Sequence, residues 1–204
     1  MIQKLINQLH EFQPYNQQEE SDLPVLLKVI CEPDVFTRDQ LLYHFTASSW
    51  IVNPDHTKVL MCYHNIYQSW SWTGGHADGY TDLLEVSCTE AKEETGLKNI
   101  RPVSENIYSI EVLTVPSHIK RGKFVNAHLH LNVTYLLEAD ESELLSIKED
   151  ENSALAWMTL DEAIEKCTEP EMVPIYQKLN DKLKTCLTTG FCVLVSFFFC
   201  DEIQ

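Results

Sequence analysis

The fold is decided by one stretch: Gly74-Gly75-His76-Ala77-Asp78-Gly79-Tyr80-Thr81-Asp82-Leu83-Leu84-Glu85-Val86-Ser87-Cys88-Thr89-Glu90-Ala91-Lys92-Glu93-Glu94-Thr95-Gly96-Leu97. Glycines 74, 75 and 79 let the chain bend sharply and bring backbone close to a ligand. Asp82, with Glu85 three residues on, is an Asp-led form of the capping box that starts a helix. Gly96 is a natural residue to stop it. The spacing therefore predicts a helix from about Asp82 to Thr95. On it, Glu90, Glu93 and Glu94 stand at i, i+3 and i+4 and share a face, with Cβ atoms about 5–6 Å apart. Leu84, Cys88, Ala91 and Thr95 trace the opposite face, which is expected to pack on a sheet. Three like charges so close destabilise a helix unless something neutralises them. Clustered carboxylates suit a hard cation such as Mg²⁺, which takes oxygen ligands and commonly bridges to substrate phosphate. The plainer reading is a solvated helix face. The third glutamate, the glycine loop before it and the glycine stop after it weigh against that reading.

Outward from this stretch the chain alternates strands and helices. Trp50 to Val52, the turn Asn53-Pro54-Asp55, and Val59 to Tyr63 read as two strands joined by a tight loop. Trp70 and Trp72 read as a strand running into Gly74. Ile107 to Val115 and Phe124 to Leu137 are again strand-like, and a short strand ends at Trp157. In the second of these, His128, His130 and Asn132 alternate with Leu129, Leu131 and Val133, a half-buried pattern of period two. Helices are expected from Asp161 and from Pro174 to Lys184. At the start, Ile2, Leu5, Ile6 and Leu9 have helical spacing, ended by Pro14. Asp22 and Pro24 read as the start of a second helix through Ile30. This gives residues 1–40 as a helical N-terminal extension, 41–185 as a mixed α/β domain, and 186–204 as an apolar tail. The tail holds three of the seven Cys and four of the eight Phe, with no Lys or Arg.

Charge narrows the partners. Fifteen Lys plus Arg against 31 Asp plus Glu leave a formal charge of −16. Duplex nucleic acid is not expected as a partner, because phosphate contacts need clustered cations. An anionic small molecule remains open if divalent cations bridge it to the protein. No stretch reaches the roughly 18 apolar residues of a membrane span. Seven Cys at irregular spacing, no CxxC pair and no secretory leader fit free thiols in a cytoplasmic, reducing compartment. Residues 138–151 carry seven acids and one Lys. A solvated loop is the plain reading; the functional one is a carboxylate, such as Glu151, hanging over an active site.

The quoted stretch resembles the Nudix box, G-x5-E-x7-R-E-U-x-E-E-x-G-U, with U aliphatic. Gly75, Glu90, Ala91, Glu93, Glu94, Gly96 and Leu97 match, seven of nine specified positions. Thr81 stands where the family has Glu, and Thr89 where it has Arg. The likeness extends loosely over about residues 41–185. It implies a Nudix-like α/β/α sandwich with a mixed sheet, preceded here by the N-terminal helical extension. It further implies a Mg²⁺-dependent hydrolase of a diphosphate bond in a nucleoside diphosphate derivative or similar organic pyrophosphate, with Mn²⁺ as an alternative ion. Glu93 and Glu94 would then be the principal ligands. Glu90 would be a further ligand or the group that orients and deprotonates water, and the Gly74 carbonyl a backbone ligand.

The two threonines motivate another function, a Nudix-fold nucleotide-binding sensor with weak or absent turnover. A prenyl diphosphate isomerase ranks below both, since no motif supports it. Asp82 and Glu85 are neighbouring candidates to stand in electrostatically for the missing pair. His76 is a candidate for phosphate contact, beside the plainer role of capping backbone. Trp72, with Trp70 and Tyr67, is a candidate to stack on a base or to fill a core strand. His128 and His130 lack a third ligand at matching spacing, so they read as a polar strand surface, not a zinc site. Lys120, Arg121 and Lys123 form a basic turn. Cys88 faces the packing side, which argues against a nucleophile. The N-terminal helices are a candidate homodimer element.

Overall fold

Strand β1 (Tyr43–Val52) alternates its side chains between two cores. Phe45, Ala47 and Ile51 enter one, Trp50 and Val52 the other. The computed structural model describes residues 2–120 and 122–189. The remaining strands are β2 (Lys58–His64), β3 (Ser69–Ser71), β4 (Thr73–His76), β5 (Arg101–Pro102), β6 (Ser109–Val115), β7 (His118–Lys120), β8 (Lys123–Val125), β9 (His128–Glu138) and β10 (Asn152–Thr159). All but β7 and β8 join one mixed sheet, with path β10-β2-β1-β9-β5 and with β3, β4 and β6 pairing β2, β1 and β9. β1 and β9 run parallel over ten residue pairs, and the other pairings are antiparallel.

Helices cover both faces. α1 (Ile2–Glu11), α2 (Gln17–Val29) and α3 (Leu83–Thr95) pack Leu5, Leu9, Leu26, Leu83 and Ala91 into one core. α4 (Leu160–Lys166) and α5 (Val173–Thr189) pack Ala163, Tyr176, Leu179 and Leu183 into the other. The α/β/α sandwich with N-terminal helices follows from the sequence as expected. Among the described residues, no helix is long and apolar enough to cross a membrane.

Three local expectations are corrected. α2 begins five residues before Asp22, because Asn16 caps it by accepting the Glu19 N–H (3.1 Å). Asp22 instead accepts the Val112 N–H of β6 (2.8 Å). Pro24 sits inside the helix, and the carbonyl its ring deprives belongs to exposed Glu20, where water can substitute. The segment Phe124–Leu137 is not one strand: β8 ends at Val125, and β9 starts afresh at His128. Its half-buried alternation gives way to burial of both faces from Leu131 to Leu137, because helices cover the sheet on each side. Arg121 of the basic turn, and the tail from residue 190, lie outside the described residues.

Beneath α5 the sheet carries a buried polar network. Lys178 Nζ donates to Glu111 Oε1 (2.9 Å) and Gln18 Oε1 (2.6 Å), and lies 3.2 Å from Glu19 Oε1. Lys182 donates to the same Glu19 oxygen (3.0 Å). Asn132 Nδ2 donates to Glu111 Oε2 (2.8 Å), while Thr46 and Ser48 hydroxyls donate to Asn132 Oδ1. Burial pushes the Glu19 carboxyl up, but Lys182 and Lys178 outweigh it and hold it below the ordinary carboxylate range. The network ties α2, α5, β1, β6 and β9 to one arrangement.

Candidate active site

α3 forms where the capping chemistry places it. Asp82 accepts the Glu85 N–H (3.2 Å), and Gly96 closes the helix in the left-handed region at φ 72°. The buried stripe is Leu83, Val86, Ser87, Ala91, Glu94 and Thr95. Leu84 and Cys88 stand at its margin, half-buried against the core, so the packing face is rotated from the expected one. The rotation has a chemical consequence: it buries Glu94 at 4% exposure and leaves Glu93 in solvent.

Glu90, Glu94 and Glu151 offer carboxylate oxygens that all lie within 4.8 Å of one another. That is close to the span across an octahedral Mg²⁺ shell, about 4.1 Å for two opposed bonds of 2.0–2.1 Å. The acidic loop delivers Glu151. Asn152, fully buried, donates to the Glu94 carbonyl (3.1 Å) and accepts the Lys148 N–H (3.2 Å), pinning the loop to the end of α3. Glu93 stands apart from the trio and meets Lys148 at 3.2 Å; Lys148 also meets Glu151 at 3.1 Å.

The two glycines explain themselves by contact. A Cβ on Gly75 would lie 2.3 Å from the Glu90 carboxylate, and one on Gly74 would lie 2.6 Å from the Ala47 carbonyl oxygen. Gly74 N–H donates to Glu94 Oε1 (2.9 Å). The buried Cys62 thiol lies 3.6 Å from Glu94 Oε2, a neighbour the sequence did not reveal.

Among the described residues no ion pair forms to Glu90 or Glu94. Burial pushes the Glu94 carboxyl up to about 8; Gly74 N–H opposes this, and Glu90 and Glu151 add to it. Burial also raises Glu90; Lys148 opposes it, and Glu93, Glu151 and Asp78 reinforce it. A buried carboxylate short of cationic charge is the condition that a bound divalent ion relieves. The donor set therefore fits a hard cation.

Trp72 packs into the α5-side core, its ring edge-on to Tyr176 (5.5 Å) and its backbone N–H donating to the Tyr176 hydroxyl (3.3 Å). Trp70 packs edge-on to Tyr63, and exposed Tyr67 lies against His64. Thr81 lines a crevice of about 10 Å³ with Lys4 and Gln8 of α1, room for a water at most. Thr89 is exposed on α3. His128 and His130, expected as a polar strand surface, and His76, a candidate for phosphate contact, stand close together. Together with His44 they bring one ring nitrogen each within 4.8 Å of the rest. β1 supplies His44, whose Cα partner across the parallel pairing is His130, so the missing third ligand lay on another strand.

The comparisons agree with this geometry. Residues 42–179 match the model of the NUDIX domain. A Nudix hydrolase from M. smegmatis, RenU, is similar in structure at TM-score 0.50 and 15% identity, over 74% of this chain and 89% of that one. The E. coli dihydroneopterin triphosphate pyrophosphohydrolase is similar at TM-score 0.50 and 14% identity, over 69% of this chain and 95% of that one. No curated protein matches significantly. A glycine loop pressed against a glutamate helix, in a domain that the family model matches from β1 to α5, makes this chain a member of the NUDIX family.

Proposed function

We propose that the chain is a Mg²⁺-dependent hydrolase of a diphosphate bond in a small anionic substrate, a nucleoside diphosphate derivative or similar organic pyrophosphate. The observation that carries this reading is Glu94, buried and raised to about 8 beside Glu90 and Glu151, with no ion pair among the described residues. Glu90, Glu94 and Glu151, with the Gly74 carbonyl, would hold the ion. Mn²⁺, another oxygen-liking ion, would serve as an alternative. An ion held by these residues would supply a lowered pKa for water and neutralise charge on phosphate oxygens.

The residues do the rest. Gly75 leaves room for the Glu90 carboxylate against the loop backbone, where a Cβ would displace it. Glu90, raised but half-exposed, is suited to accept the proton of an attacking water. Lys148 supplies cationic charge beside Glu93 and Glu151, where Thr89 brings none. Free Cys31, Cys62, Cys88 and Cys167 fit a reducing, cytoplasmic setting.

Exposed Thr89 favours a second reading, a binder that holds a nucleotide without cleaving it. A panel of nucleoside diphosphate derivatives, with and without Mg²⁺, separates the two. The enzyme reading expects Mg²⁺-dependent product from at least one substrate. Thermal stabilisation by ligand with no product under any condition would replace it with the binder.

A further inference from the structure

We propose that His44, His76, His128 and His130 form a second metal site, a zinc site chemically distinct from the carboxylate cluster. The four rings converge from three strands. His44 opens β1, His76 ends β4, and His128 and His130 begin β9. Ring centroids of His44 lie 5.0, 4.9 and 5.1 Å from those of His76, His128 and His130.

Tautomers point the lone pairs inward. His44 Nδ1 faces the Gln40 carbonyl at 3.2 Å, and His128 Nδ1 faces the Asn126 carbonyl at 2.8 Å. A carbonyl only accepts, so in each ring Nδ1 carries the proton and Nε2 presents a lone pair. A ring N–H donated to a backbone carbonyl is the usual orienting contact of a metal-bound histidine. His44 is 5% exposed, and its Nε2 is buried without a hydrogen-bond partner. That atom is an unmet acceptor aimed at the other rings.

Distances favour a small tetrahedral ion. His128 Nε2 and His130 Nε2 are 3.2 Å apart, a hydrogen bond in which His130 supplies the proton that an incoming metal ion would displace. Two nitrogens bound to one tetrahedral Zn²⁺ at 2.0–2.1 Å stand about 3.3 Å apart. The whole set lies within 4.8 Å, and His76, His128 and His130 are half-buried. Imidazoles select zinc and its transition-metal neighbours, whereas Mg²⁺ prefers carboxylate and water. The two sites would thus sort ions by ligand chemistry. With four protein ligands the shell is full, so the ion's role is to pin the mouth of the sheet where β1, β4 and β9 meet.

The test is a Zn²⁺ titration of the full chain against a chromophoric chelator, with millimolar Mg²⁺ present. Visible absorption of tetrahedral Co²⁺ is recorded in parallel. Wild-type protein is expected to take one Zn²⁺ per chain, to show the tetrahedral Co²⁺ spectrum, and to melt at a higher temperature with zinc. His128→Asn with His130→Asn, both at half-buried positions, should weaken binding by about a hundred-fold or more. Glu90→Gln with Glu94→Gln should leave it unchanged. No stoichiometric zinc in the wild type would overturn the proposal. So would binding that survives the histidine substitutions, or binding lost with the glutamates.

Discussion

Two sets of buried carboxylates lie in one domain and obey opposite rules. Glu19 and Glu111, at 0% and 1% exposure, are met by Lys178 and Lys182 and by a chain of hydroxyl and amide donors. Glu94, at 4%, is met by one backbone N–H and a thiol, with two more acids within 4.8 Å. The first set carries its cations within the fold and holds helices on a sheet. The second leaves its charge to be balanced from outside. Burial alone does not mark a functional carboxylate; burial short of a partner does.

The largest effect should come from Glu94→Gln or Glu90→Gln. Diphosphatase turnover is expected to fall about a thousand-fold or more, ~4 kcal/mol in the barrier. The folded circular dichroism spectrum should persist. Glu93→Gln should cost less, because that side chain is exposed and already paired with Lys148. Equal losses for Glu93 and Glu94 would erase the distinction drawn between them.

Lys178→Met inverts the pattern. It strands Glu111 and part of the Glu19 charge in the interior, and breaking a buried pair costs about 3–5 kcal/mol of stability. Denaturant melts should show that loss while Mg²⁺ binding in the folded fraction stays intact. A melt within error of wild type would show that the network holds nothing together.

pH separates the two sets further. Glu94 is raised from an ordinary 4.5 to about 8, so its contribution to stability is complete below 4.5 and is lost as pH rises through 8. Glu19 is lowered, so its contribution is present above 4.5 and is lost as pH falls through its depressed value. Metal-free protein should therefore weaken by a few kcal/mol as pH rises from 4.5 to about 8. Glu94→Gln or added Mg²⁺ should flatten that limb alone. A loss between pH 4.5 and 8 that is unchanged in Glu94→Gln would be assigned to another group.

A smaller effect is expected from Gly75→Ala. The new Cβ meets the Glu90 carboxylate at 2.3 Å, and the flexible glutamate end must yield. Turnover should fall about ten- to a hundred-fold, the scale of a displaced catalytic group. Stability should change by less than about 1 kcal/mol. Wild-type turnover in this variant would show that the glycine has no part in placing Glu90.

What was legible in the sequence was local. Asp82 and Gly96 bound α3, and the glutamate spacing marked its acidic side, because caps and i, i+4 neighbours are set within a few residues. What was not legible needed the sheet. Glu151 stood out in the sequence as a candidate in an acidic loop, but that it reaches Glu94 needed the fold, because Asn152 ties that loop to the end of α3. His44 joins His130 because β1 and β9 run parallel, a pairing no local pattern announces. A His-x-His on a strand, beside further histidines at strand ends, was the available signal. Pro24 misplaced the start of α2 because Asn16 is an equally good cap, and the proline falls where its lost bond faces water.

The most direct measurement of the central claim is calorimetric titration of metal-free protein with millimolar Mg²⁺ at pH 7, in buffers of different ionisation enthalpy. The account predicts binding coupled to release of close to one proton, because Glu94 is largely protonated at that pH until the ion arrives. It also predicts that both signals vanish in Glu94→Gln. Binding without proton release, or binding undiminished in that variant, would contradict it.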